Sequence, residues 1–177
     1  MEVEHHVING RDLYIVHNVL SPDVCDKIIR DAEASKPLGK VMNTPSSYYR
    51  IAFSNPVVLS TVSDAIKKYI PLVGDGMVFD DELRYNKYFA GDFIGIHQDG
   101  FAMVGFKVNP HTINIYLNQD FEGGDTVFYS DRSGGELLRV KPRTGSAVIF
   151  DCAIFHSGEK ILRGTKSIIR ANVYQKR

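Results

Sequence analysis

Thr112-Ile113-Asn114-Ile115-Tyr116-Leu117 alternates in character at every residue. Along a strand successive side chains leave on opposite faces, so Thr112, Asn114 and Tyr116 share one face and Ile113, Ile115 and Leu117 the other. The segment from Lys166 to Tyr174 repeats the pattern: Lys166, Ile168, Arg170, Asn172 and Tyr174 point one way, and Ser167, Ile169, Ala171 and Val173 the other. Each strand therefore has an apolar face that needs cover and a polar-bearing face unlike a solvated surface. A half-open barrel whose bore is a polar site satisfies both.

Outward from these strands, the chain from about Leu83 onward is a series of short alternating runs. They are punctuated by Gly91-Asp92, Gly123-Gly124-Asp125, Ser133-Gly134-Gly135 and Pro142-Arg143-Thr144-Gly145, the marks of a β sandwich or barrel. The first third reads differently. Leu13 to Val16 predicts a strand. Ser21-Pro22-Asp23 predicts a helix start, with a hydroxyl cap, proline at the first helical position and an acid in the first turn. Val24, Cys25, Ile28 and Ile29 form its buried stripe. A second helix is predicted from Asn55-Pro56, with Val58, Leu59, Val62, Ile66 and Ile70 inward, stopping before Pro71. Two such helices can cover an apolar sheet face.

At 177 residues, with no repeat and no linker, the chain reads as one domain over 1–177. Its 44% hydrophobic content excludes a disordered tail and a disulfide-stapled miniprotein. Lys+Arg and Asp+Glu balance at 21 each, which argues against a nucleic-acid partner because no global basic field exists. The basic residues after His156 read as a solvated edge plus one inward lysine. Cys25 and Cys152 are far apart and form no metal-knot or disulfide pattern; they read as buried thiols in a reducing compartment. The polar start and the lack of any eighteen-residue apolar run predict a soluble, cytoplasmic protein with no membrane partner.

Three groups carry chemistry. In His97-Gln98-Asp99, residues i and i+2 of a strand project to the same side, so imidazole and carboxylate can meet one metal ion while Gln98 faces away. His156 follows the apolar strand Ser146 to Phe150 at a distance that lets an adjacent strand supply it. Two histidines and a carboxylate leave open coordination positions, as non-haem Fe(II) oxygenases require. Zinc accepts the same set, and so does a purely structural arrangement. Lys166 is the discriminating residue. An inward lysine is costly unless an anion pairs with it, and no carboxylate nearby in sequence does so. Metal plus buried cation implies an anionic cosubstrate that also chelates, and a 2-oxo acid meets both demands.

These residues stand in an ordered series of segments: Arg84 to Asp92, His97 to Gly100, Thr112 to Asn118, Phe121 to Phe128, Pro142 to Gly145, His156 to Gly158 and Gly164 to Lys166. In this set the chain resembles the Fe(II)- and 2-oxoglutarate-dependent dioxygenases, most closely the prolyl 4-hydroxylase branch, from about Leu13 to Tyr174. The resemblance implies a mainly β (α+β) fold, a double-stranded β-helix or jelly roll with the N-terminal helices packed on one sheet. It implies His97, Asp99 and His156 as Fe(II) ligands, Lys166 as partner of the distal carboxylate of 2-oxoglutarate, and Tyr116 as a donor to the same group. Tyr88 would line the cosubstrate pocket, with Thr112 and Asn114 in the same cavity.

The implied reaction consumes 2-oxoglutarate and dioxygen, with ascorbate as a reductant, and hydroxylates an unactivated C–H bond of a peptide or protein, prolyl residues first. Asn172 departs from the tryptophan that many relatives carry. The loops Lys40 to Arg50 and Gly100 to His111 are expected at the mouth. Tyr48, Tyr49 and Arg50 would hold a proline-containing peptide, or else simply open a strand; Phe101, Met103 and Phe106 would form a lid or pack as core. A small-molecule substrate such as a free amino acid, and a non-catalytic metal-binding jelly-roll module, remain as alternatives. His5, His6, His17 and His111 have no partner spacing.

Overall fold

A computed structural model describes residues 2–35, 38–43, 46–53, 56–73, 77–79, 83–99 and 108–175. The chain opens with a hairpin of β1 (Val3–Ile8) and β2 (Arg11–Val16), then α1 (Pro22–Ser35). A second hairpin, β3 (Gly39–Asn43) and β4 (Ser46–Phe53), precedes α2 (Pro56–Lys67). After β5 (Met77–Phe79) come β6 (Leu83–Phe89), β7 (Phe93–His97), β8 (Val108–Tyr116) and the two-residue β9 (Glu122–Gly123). The barrel is completed by β10 (Thr126–Asp131), β11 (Gly134–Val140), β12 (Ala147–Asp151), β13 (Phe155–Gly158), β14 (Ile161–Arg163) and β15 (Thr165–Gln175).

The strands pair in the order β1-β2-β12-β8-β15-β6-β4-β7-β13-β10-β11. At β4 the sheet folds over itself: Tyr49 to Phe53 pair with β6, whereas Ser46 and Ser47 pair with β7. The result is the jelly roll that the resemblance implies, two sheets wrapped around the polar-bearing interior that the alternation predicts. Asp92 makes the β6–β7 turn, accepting from the Phe89 amide at 2.9 Å and from Ser47 Oγ at 2.7 Å, and so ties that turn to the folding point.

The alternation sorts the side chains into two cores. Ile113, Ile115, Ile149, Ile169, Ala171 and Val173 face outward, where Cys25, Ile28 and Ala32 of α1 and Val58, Val62 and Ile66 of α2 cover them. Inside the roll, Leu13, Ile15, Val148, Phe150, Phe128, Tyr116, Tyr88 and Ile168 form the second core. The helices thus bury the face that β-patterning alone leaves exposed.

α1 begins as expected, with the Val24 amide donating to Ser21 Oγ at 3.4 Å. α2 ends at Lys67 rather than running to Pro71. Ile70–Val73 is a short 3-10 turn that includes Pro71, held by the Leu72 amide on the Tyr69 carbonyl at 3.1 Å. Proline fits there because an early turn position needs no amide donor. Asn55, and the side chain of Ile70, lie outside the described residues. The segment Lys40 to Arg50 is the β3–β4 hairpin instead of a loop, so Tyr48, Tyr49 and Arg50 are strand residues. Of the second expected mouth loop, residues 100–107 lie outside the described residues, with Phe101, Met103 and Phe106 among them, and Val108 to His111 already belong to β8.

Candidate active site

His97 ends β7 and His156 lies in β13, and the two residues are direct partners in the antiparallel β7–β13 register. Their rings stand 4.3 Å apart between centroids. Asp99 comes two residues past the end of β7, so the strand expected to carry the whole triplet stops at its first member. The reason is local. Gln98 turns outward and donates to the Ala153 carbonyl at 2.6 Å, while Asp99 is drawn inward by Thr112 Oγ1 at 2.6 Å and Arg170 Nη2 at 2.8 Å. The ligand atoms of His97, Asp99 and His156 all lie within 4.8 Å of one another.

The donor chemistry suits a divalent cation. Nδ1 of His97 donates to the Gly95 carbonyl and Nδ1 of His156 to the Ile154 carbonyl, each at 2.9 Å. Those bonds fix the tautomer that leaves Nε2 of each ring with a free lone pair turned to Asp99. His156 is buried against Phe128 and Phe150, and burial pushes its pKa down to about 4, so it is a neutral ligand at neutral pH. Burial alone raises the Asp99 carboxyl, but His156, Arg170, His97 and Thr112 overcome it and hold the group well below the usual carboxylate range. Both carboxylate oxygens are thereby oriented before any metal arrives.

Lys166 sits on the same interior face. The residue is 5% exposed, and its ammonium donates to the Gly124 carbonyl at 2.5 Å and stands over the rings of Tyr116 at 5.3 Å and Tyr88 at 5.8 Å. Among the described residues no carboxylate lies within 4.0 Å of it. Burial pushes its pKa down to about 8, against the more distant fields of Asp125 and Glu159. Gly124 holds the carbonyl in place at φ 72°, a backbone conformation that favours glycine, and a Cβ there would also push against Ile161 Cδ1 at 2.4 Å and Phe121 Cε2 at 3.0 Å.

The other expected residues fall on this face in different settings. The Tyr116 hydroxyl donates to Thr126 Oγ1 at 2.8 Å. Tyr88 is buried, stacked on Tyr48 at 5.4 Å. Thr112 turns to Asp99, and the side-chain oxygen of Asn114 is buried with no hydrogen-bond partner among the described residues. Arg50 lies over the Tyr48 ring at 5.0 Å, so Arg50, Tyr48, Tyr88 and Lys166 make a column along the interior.

Arg170 and Thr126 had no expected role. The alternation predicts Arg170 on the interior face, yet its partner Asp99 is 71 positions earlier in the chain and no local pattern links them. Thr126 was legible only as the inward neighbour of Phe128. Of the histidines without an expected partner, His5 donates to Asp12 and His17 to Glu4, each at 2.7 Å across the first hairpin. Glu2, Glu4 and His17 also cluster there, away from the interior.

A roll of antiparallel strands with two facing histidines, one preset carboxylate and, on the same interior face, a buried ammonium can hold a divalent cation and an anion together. The family profile described as the 2OG-Fe(II) oxygenase superfamily matches residues 83–174, and the chain belongs to that superfamily. No curated protein matches it in sequence. Among solved structures it is similar to a viral collagen prolyl hydroxylase from Paramecium Bursaria Chlorella virus-1 in complex with 2OG, at 17% identity and a TM-score of 0.73, covering 97% of this chain and 100% of that one. It is also similar to a prolyl hydroxylase from Trichoplax adhaerens in complex with a hypoxia inducible factor peptide fragment, at 14% identity and TM-score 0.71, covering 92% and 83%. A prolyl-4-hydroxylase from Pseudomonas putida aligns at 18% identity and TM-score 0.69, covering 93% and 92%. At these identities the likeness is one of fold.

Proposed function

We propose that this chain is an Fe(II)- and 2-oxoglutarate-dependent hydroxylase whose substrate is a prolyl residue of a peptide or protein, with ascorbate as reductant. The observation that carries the cosubstrate assignment is Lys166, a buried ammonium held by a carbonyl and two aromatic rings with no carboxylate beside it. A dicarboxylate that reaches from the metal site to this ammonium supplies the missing anion. Superfamily membership supports the same assignment. The fold shared with three prolyl hydroxylases, one of them a collagen prolyl hydroxylase and one in complex with a peptide fragment, supports the prolyl reading.

His97 Nε2, an Asp99 oxygen and His156 Nε2 would hold the iron. Bound there, Fe(II) supplies the activation of dioxygen that accompanies conversion of 2-oxoglutarate to succinate and carbon dioxide. The remaining work belongs to the chain. Lys166 binds the distal carboxylate, and the Tyr116 hydroxyl, on the same face, turns from Thr126 to donate to it. Tyr88, Thr112 and Asn114 line the cavity, and Thr112 and Arg170 hold Asp99 in its ligating orientation. Phe128 and Phe150 keep the His156 side of the site dry. Tyr48 and Tyr49, at the β3–β4 hairpin, pack against the prolyl substrate.

Purified protein given Fe(II), ascorbate and 2-oxoglutarate is expected to form succinate, stimulated by a proline-containing peptide that gains one oxygen atom by mass spectrometry. Stimulation by a free amino acid and by no prolyl peptide would replace the peptide substrate with a small molecule. Complete failure to consume or bind 2-oxoglutarate would refute the enzyme assignment itself.

A further inference from the structure

Arg50 brings a further cation to the interior, beside Lys166 and Arg170, and no described residue neutralises it. Its Nε donates to the neutral amide oxygen of Asn86 at 2.9 Å, and its guanidinium lies over the Tyr48 ring at 5.0 Å. Among the described residues it makes no ion pair. Burial pushes its pKa down from the usual guanidinium value, with the positive charges of Arg170 and Arg84 acting in the same sense and the Tyr48 and Tyr88 phenols opposing them. A guanidinium remains protonated under such a shift. Arg170 differs, since Asp99 occupies it at 2.8 Å.

The charges of the loaded site can be matched one by one. Lys166 takes the distal carboxylate of the cosubstrate, Asp99 and the proximal carboxylate face the metal, and Arg170 keeps Asp99. Arg50 is left facing an interior that is already positive. A half-buried cation in that position is stabilised by an anion that arrives with the substrate. We infer that the substrate of this site carries a carboxylate close to the bond that is hydroxylated, and that Arg50 is its receptor. The inference rests on the proposed 2-oxoglutarate-dependent reading and narrows its substrate class. Two sources provide the same group: an Asp or Glu side chain beside the target residue of a peptide, or the α-carboxylate of a free amino acid.

Calorimetry on protein saturated with Mn(II) and 2-oxoglutarate, where binding is read without turnover, separates these cases. The probes are a neutral, end-blocked prolyl peptide, the same peptide with Asp next to the proline, and free L-proline. At least one carboxylate-bearing probe is expected to bind about tenfold or more tightly than the neutral peptide, the scale of one charge-assisted hydrogen bond. Which of the two binds tighter names the source. Arg50→Gln is expected to erase the preference and Arg50→Lys to keep part of it. The ranking on the unaltered chain tests the inference even where a variant fails to fold. Equal affinity for neutral and carboxylate-bearing probes, binding of none of them, or a preference that survives Arg50→Gln overturns it. Binding of 2-oxoglutarate itself is measured first, so loss of the parent reading is seen separately from loss of this one.

Discussion

Lys166 is costly where it stands. With its pKa pushed from 10.5 down to about 8 by burial, the charged form is disfavoured in the folded chain by about 3 kcal/mol. Below pH 8 the lysine is protonated both folded and unfolded, and the full penalty applies. Between pH 8 and 10.5 the folded protein releases the proton first, so this contribution to stability rises with pH. The buried thiols of Cys25 and Cys152, raised to about 11 by burial, act in the opposite sense at high pH. They are common to wild type and any Lys166 variant. The stability difference between Lys166→Met and wild type is therefore expected to shift by about 3 kcal/mol in favour of wild type as pH goes from 7 to above 10.5, read by urea unfolding. A difference that does not change with pH contradicts the buried charge. In the proposed function the same ammonium is the cosubstrate anchor, so 2-oxoglutarate affinity is expected to fall as pH rises through about 8, and to be lost in Lys166→Met.

Turns decide where the strands deliver these residues. Gly145, between β11 and β12, sits at φ 76°, and a Cβ on it would lie 2.0 Å from the Leu20 carbonyl oxygen. Its amide donates to the Tyr116 carbonyl at 2.8 Å, and its carbonyl accepts from Val19 and Leu20 at 2.8 and 3.1 Å. One residue thus joins the end of β8 to the segment that leads into α1. Gly145→Ala combines a disfavoured backbone with a clash against main chain, and is expected to cost about 2 kcal/mol or more, a fall in Tm of at least about 4 °C. A Tm within a degree of wild type would mean that the junction carries no such constraint. The first hairpin turns through Asn9 and Gly10 at φ 51° and 73°, a pair whose sequence signature for this turn is strong. That pair marks the turn in the sequence, whereas the Val3-Glu4-His5-His6 start of β1 lacks the apolar alternation that signals a strand.

Across the whole molecule, the site exists only because the sheet folds over at β4 and closes β7 onto β13. In the proposed function, metal and cosubstrate bind the closed arrangement and not the unfolded chain. Mn(II) and 2-oxoglutarate, each at about a hundredfold over its dissociation constant, are expected to add about 5 kcal/mol of stability, a rise in Tm of roughly 10–20 °C that a chelator reverses. No rise with either ligand would separate the His97–Asp99–His156 grouping from any metal-binding role.

The residue types and their faces were legible from the chain alone: Lys166 inward, Thr112, Asn114 and Tyr116 beside it, Ile113 and Ile115 outward, and the His97 and Asp99 pair two residues apart. Side-chain alternation is local geometry, set residue by residue by the backbone, so it can be read without knowing any partner. The pairing of His97 with His156, the grip of Arg170 and Thr112 on Asp99, the Tyr116–Thr126 hydrogen bond and the column from Arg50 to Lys166 were decided by tertiary structure. Those contacts join segments tens of residues apart. Which strands meet, and in what register, depends on how turns and helix packing close the roll, a balance over the whole chain that no short stretch encodes.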